Sequence, residues 1–210
     1  MLERIKKEIK TYFEGINPCH EFSHTERVLN LALRIGKKEN ADLEVIKYSA
    51  LLHDIGRKEQ DESNGRVDHA EIGAELAKEI LKKYNFDEDR IKEIAHCIKT
   101  HRFRGNNIPK SKEAKILYDA DKLDSIGAIG IGRAFSFSGS IGSYVHNQNI
   151  DINKTEPYTK DDCAYREFLI KLMNVKDKML TDEGRKIAEE RHKYMLDFFK
   201  RLNKEVNGEI

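Results

Sequence analysis

Apolar residues recur every three or four positions along most of this chain, and runs that alternate apolar with polar residues are absent. A strand buries every second side chain, whereas a helix buries a stripe at this spacing, so the chain must pack helix on helix. Leu2, Ile5, Ile9 and Phe13 form the first stripe. Val28, Ala32 and Ile35 form the next, followed by Leu43, Ile46, Ala50 and Leu51. Ile72, Leu76, Ile80 and Tyr84 precede Ile91, Ile94, Ala95 and Ile98, and a further stripe runs through Ala114 and Leu117 to Asp121. Near the end come Phe168, Leu172 and Met173, then a long stripe of Ile187, Tyr194, Phe198, Leu202 and Val206. Residues able to cap a helix stand where stripes begin: Ser23 with Glu26 as a capping box, and Asp42, Asp68, Asp87 and Ser111 singly. Gly56 reads as a helix stop. The expected fold class is all-α, one helical domain over 1–210, with a core motif region over about 23–132 and C-terminal helices over 162–206 packing on it. Two stretches lack the period. Residues 57–67 are charged and contain glycine, so a surface loop is expected. Residues 143–161 are polar and Asn-rich, and read either as a lid or as a plain surface connection.

Composition narrows the function classes. The 210 residues carry 38 Lys and Arg against 37 Asp and Glu, a net charge of +1. A dedicated nucleic-acid binder would show a basic excess, so no nucleic-acid partner is expected. No run approaches the roughly 18 apolar residues of a membrane span. The opening MLERIKKEIK lacks the apolar core of a signal peptide, so a cytoplasmic protein without a membrane partner is expected. Cys19, Cys97 and Cys163 are far apart and form no CxxC pair. They read as three free thiols in a reducing compartment rather than as a zinc ribbon or redox motif.

The chemistry lies where polar residues interrupt apolar stripes. His53 and Asp54, in LLHDIGR, form the only His-Asp dipeptide and close an apolar run. A buried carboxylate beside an imidazole is costly unless compensated, and a bound cation is the strongest compensator. Asp121 and Asp124, in ILYDADKLDSIG, pose the same problem, and His24 in FSHTERV opens the helix after the first connection. Imidazole nitrogen with carboxylate oxygen suits a borderline divalent ion such as Mn, Fe, Co, Ni or Zn. Two His and two Asp can hold such an ion and still leave positions open for water and substrate. Asp124 reads either as a partner orienting a ligand His or Lys122, or as a surface carboxylate. Arg27, Arg57, Arg102, Arg104, Lys122 and Arg133, with Lys58, stand beside these motifs as candidate phosphate partners, the arginines favoured by their forked donors. Gly127, Gly130 and Gly132 match neither GxGxxG nor a Walker A sequence, and are expected to serve close helix packing.

With His24, His53-Asp54 and Asp121 in this order, the chain resembles the HD superfamily of metal-dependent phosphohydrolases, named for an H…HD…D ligand pattern on an all-helical core. The match runs from about Ser23 to Gly132. LLHDIGR and DADKLDSIGAIGIGRAF are especially close to the small bacterial and archaeal YpgQ/YedJ-like group, and the tail TDEGRKIAEERHKYMLDFFKRLNKEVNGE extends the likeness over nearly the whole chain. The resemblance implies metal ligation by His24, His53, Asp54 and Asp121. It implies either proton transfer or a second ion for His69 and His101, with Asp54 also in the catalytic set. The implied activity is hydrolysis of a nucleotide or related phosphate ester, with (deoxy)nucleoside triphosphate pyrophosphohydrolysis foremost and nucleotidase or cyclic-nucleotide phosphodiesterase as alternatives. A di-iron oxygenase and a non-catalytic nucleotide-binding regulator are the alternatives of other classes. One ion is expected, with a second compatible, and homo-oligomerisation is left open.

Overall fold

The structure, a computed structural model, describes residues 1–15 and 21–210; Cys19 lies outside the described residues. It is all-α: no strand occurs among the described residues. It divides into two compact units, Met1–Asp121 and Lys122–Ile210.

In the first unit, helix α1 (Leu2–Ile9) runs into a 3-10 turn (Lys10–Phe13), and α2 (Phe22–Lys38), α3 (Leu43–Leu52), α4 (Arg57–Glu62), α5 (His69–Lys83), α6 (Glu88–Thr100) and α7 (Lys112–Leu123) come after it. α2 packs on α3, α3 on α6, and α6 on α5. The capping aspartates act as expected. Asp42 accepts from the backbone N–H of Glu44 and Val45, Asp68 from that of Ala70, and Asp87 from that of Arg90. Ser111 Oγ likewise accepts from the Ala114 N–H. Each satisfies a donor that the first turn leaves without a partner, worth about 1 kcal/mol.

Three local expectations are corrected. Ser23 and Glu26 form no capping box. α2 already begins at Phe22, behind Glu21, and the Ser23 hydroxyl donates to the Glu21 carboxylate and accepts from Arg27. Residues 57–62 of the expected surface loop wind into α4. The inward face of α5 is not the large stripe of Ile72 and Leu76, which are half-buried, but Ala70, Gly73, Ala74, Ala77, Ile80 and Leu81. Small side chains let neighbouring backbone come close. Gly56 shows how close: a Cβ there would lie 2.6 Å from the His69 carbonyl oxygen and 2.7 Å from the Gly73 nitrogen. Gly56 is therefore a contact point between the turn after α3 and the start of α5. After three helices of this unit the left-handed position is taken by an asparagine. Asn40, Asn64 and Asn85 have φ of 52°, 52° and 58° and follow α2, α4 and α5. The next residue's N–H closes back on Gly36, Gln60 and Leu81 in turn.

The second unit contains α8 (Gly127–Ser140), α9 (Ala164–Ile170) and α10 (Asp182–Val206). α8 packs against both α9 and α10, around Phe168 and Phe199, whose stacked rings lie 4.5 Å apart. On α10 the buried residues are Ile187, Ala188, Met195 and Phe199, while Tyr194 and Val206 are exposed and Phe198 and Leu202 half-buried. The true stripe is thus rotated by about one residue from the expected one, because the ring of Phe199 rather than Phe198 fills the centre. Gly127 and Gly130 do serve close packing. A Cβ on Gly127, at φ 79°, would sit 2.9 Å from Arg191 Cγ, and one on Gly130 would sit 2.2 Å from the Ser125 carbonyl. The periodless stretch 143–161 has no helix or strand and is tied at its base: Arg166 donates to the Asp162 carboxylate and the Thr155 carbonyl, each at 2.7 Å.

Candidate metal centre

Six of the predicted residues converge inside the first unit. His24 sits in the first turn of α2, His53 ends α3, and Asp54 follows in the turn. His69 is the first residue of α5, His101 ends α6, and Asp121 lies near the end of α7. Five helices and the turn after α3 therefore each bring one of the six side chains to the site. The four histidines and Asp54 are at most 2% exposed. The Asp121 side chain, 18% exposed, is the most open of the set.

The ligand atoms fall into two groups, each within 4.8 Å of one another: His24, His53 and Asp121, and Asp54, His69 and His101. Asp54 stands between them. Its Oδ2 lies 3.7 Å from His24 Nε2 and 3.6 Å from His53 Nε2, and its Oδ1 lies 3.1 Å from His69 Nε2 and 3.8 Å from His101 Nε2. On the first side, His24 Nε2 is 3.4 Å from Asp121 Oδ1. Arg57 Nη2 donates to both Asp54 oxygens, at 3.2 and 3.4 Å.

Ring tautomers follow from the far nitrogens. His53 Nδ1 lies 2.8 Å from the Ala50 carbonyl and His101 Nδ1 2.6 Å from the Ile98 carbonyl. A carbonyl only accepts, so Nδ1 carries the proton in both rings and Nε2 presents a lone pair. His53 Nε2 is buried without a hydrogen-bond partner. His69 Nε2 and His101 Nε2 face each other at 3.2 Å. Buried lone pairs facing each other, and facing carboxylate oxygens, are what a cation relieves, so the donor set fits a divalent ion in either group. Burial, reinforced by His53 and His69, pushes the His101 pKa down to about 3. Burial also lowers that of His69, against the pull of Asp54. Both rings are therefore neutral, as ligation requires.

The phosphate-partner candidates separate. Arg57 sits directly on Asp54. Arg102 Nη1 donates to Asp68 at 2.9 Å and to Gln60 at 3.0 Å. Arg104 has its pKa lowered by partial burial and then by the charge of Arg102, so these arginines are neighbours. Arg27 meets Ser23. Lys122 and Arg133 belong to the second unit, where Arg133 donates to the Asp124 carboxylate at 2.9 Å and to its carbonyl at 3.2 Å. Asp124 is fully buried, so the surface reading of it is wrong. Asp119, also fully buried, is not in either ligand group; two residues from Asp121, it lies on another face of α7. Cys97 and Cys163 are buried free thiols. Burial lifts Cys97 to about 12, which removes it as a nucleophile. Gln60 was missed altogether, since RKEQDE reads as solvated charge unless it is known to be helical.

The profile of the HD domain family matches residues 22–126, half of the chain. YpgQ of Bacillus subtilis strain 168, an uncharacterised protein, is 34% identical over 210 residues, spanning 98% of this chain and 94% of that one. The crystal structure of B. subtilis YpgQ in complex with ADP superposes with a TM-score of 0.77 at 32% identity, covering 99% of both chains. An HD-superfamily hydrolase from Bacillus thuringiensis superposes with a TM-score of 0.76 at 29% identity, covering 98% of this chain and 96% of that one. Among the described residues no helix is long and apolar enough to cross a membrane.

Proposed function

The chain belongs to the HD family, and from that premise we propose that it is a metal-dependent phosphohydrolase acting on nucleotides or related phosphate esters. The carrying observation is the pair of donor groups that meet at Asp54, His24–His53–Asp121 on one side and Asp54–His69–His101 on the other. A bound divalent ion supplies Lewis acidity toward a phosphoryl oxygen and makes a nearby water more acidic.

The chain's own residues do the rest. Asp54 offers one oxygen to each group, and Arg57 holds that carboxylate in place. His53 and His101, locked by backbone carbonyls, keep their Nε2 lone pairs on the site. The exposed edge at Asp121 is the side open to water and substrate. Arg102 reaches the site through Gln60, which touches His69, and Arg104 feels its charge; their forked donors suit the non-bridging oxygens of a phosphate chain. Lys122, Arg133 and Arg27 are weaker candidates for that role. A single catalytic domain spanning 1–210, working in the cytoplasm, accords with this reading. The complex of YpgQ with ADP favours a nucleotide as ligand, and a nucleoside triphosphate cleaved to release pyrophosphate is the first substrate to try.

The test is a screen for phosphate and pyrophosphate release over nucleotides, repeated with Mn, Co, Ni, Mg and Zn. Release with at least one nucleotide, lost on chelation, is the expected result. No release under any metal would defeat the proposal. The shared carboxylate also suits a di-iron oxygenase, which oxygen consumption by the iron-loaded protein would reveal.

A further inference from the structure

His53 and His101 each end a helix, so a carbonyl three residues back, Ala50 or Ile98, lies under the ring and receives its Nδ1–H. His69 begins a helix. The residue three before it, Arg66, lies outside any helix, and the partner of its Nδ1 is instead a side chain, Gln60 on α4, at 2.8 Å. The amide's orientation is decided by its other neighbours. Arg102 Nη1, at 3.0 Å, and the His69 backbone N–H, at 3.4 Å, can only donate. The atom facing them must be the amide oxygen, and a ring nitrogen facing that oxygen must carry its proton.

We propose that Gln60 is a positioning residue: its amide oxygen accepts the His69 Nδ1–H, which leaves Nε2, beside Asp54 and His101, as the ring's ligating atom toward an ion, and ties that ring to the Arg102 guanidinium. The inference rests on the reading of Asp54, His69 and His101 as a second ion's ligands. It goes beyond that reading by naming the ring orientation in the group that a single side-chain change can remove. A backbone carbonyl cannot be mutated away; Gln60 can. Ligand orientation by such partners typically changes metal affinity 10- to 100-fold.

The experiment uses the full chain. In zinc-loaded protein, ring 15N shifts report whether His69 carries its proton on Nδ1; in a separate titration, manganese binding is followed against a competing chelator. Wild type is expected to show the Nδ1–H form and two binding steps. Gln60→Leu is expected to populate the Nε2–H form and to weaken the second step by about 10- to 100-fold, with the first step unchanged. Gln60→Glu, which keeps an acceptor and can still pair with Arg102, should restore both. A helical Gln60→Leu protein with a wild-type His69 tautomer would overturn the proposal. So would an unfolded Gln60→Leu protein if Gln60→Glu, folded, showed the Nε2–H form. A wild type that binds one ion only would overturn the two-ion reading instead, and the ring measurement would still decide the role of Gln60.

Discussion

The two donor groups that meet at Asp54 are built differently. His24, His53 and Asp121 come from α2, the end of α3 and α7, and include the one ligand with substantial exposure, Asp121. Asp54, His69 and His101 come from a turn, the start of α5 and the end of α6, and all are nearly inaccessible. The first group opens to solvent only at Asp121, its two histidines being fully buried; the second is buried throughout, and burial lowers the pKa of both its rings. Under the proposed function, the difference suits the Asp121 side to substrate and the fully buried group to holding an ion.

The largest expected effect erases the distinction. Asp54→Ala removes the carboxylate that the two groups share, so turnover should fall by about a thousandfold or more and both ions should be lost. The apolar helices remain, so circular dichroism should still report the helical fold. Wild-type turnover in this variant would remove Asp54 from the mechanism. Next, His24→Ala and His101→Ala should each lower the metal content of the saturated protein by one ion, from opposite groups, with turnover down about a hundredfold. If either variant loses both ions, the groups act as one site and the comparison fails.

A smaller effect isolates the fully buried group. The His101 pKa of about 3 lies below its ordinary 6.5, so below pH 6.5 the unfolded chain binds a proton that the folded one refuses. The metal-free protein should therefore be most stable above pH 6.5 and lose up to about 1.4 kcal/mol per pH unit as pH falls toward 3. Urea melts across this range test it, and His101→Phe should flatten the slope. The smallest effect lies outside both groups. Asp87→Ala removes the cap of α6 and should cost about 1 kcal/mol in the same melts, with metal content unchanged.

Much of this was legible from sequence because it is periodic or local. The stripes name the helices, and an aspartate before a stripe is a cap whatever surrounds it, as Asp42, Asp68 and Asp87 show. The phase of a stripe was less legible. On α5 and α10 the pattern admits neighbouring faces, and the choice went to small residues against Gly56 and to Phe199. Asp124, left open between an orienting partner and a surface carboxylate, is fully buried, as is Asp119.

The candidate site divides along the same line. The amino-acid order alone determined that His24, His53, Asp54 and Asp121 stand at helix boundaries or on apolar stripes, because polar groups there need a partner and their spacing along the chain shows it; His69 and His101 joined them through the family resemblance. Only the tertiary structure decided which of them face each other, that Asp54 divides its two oxygens between two groups, and that Gln60 orients His69. Those relations join α2, α4, α5, α6 and α7 across gaps of up to 97 residues, as from His24 to Asp121, and no local pattern encodes a distance that packing alone sets.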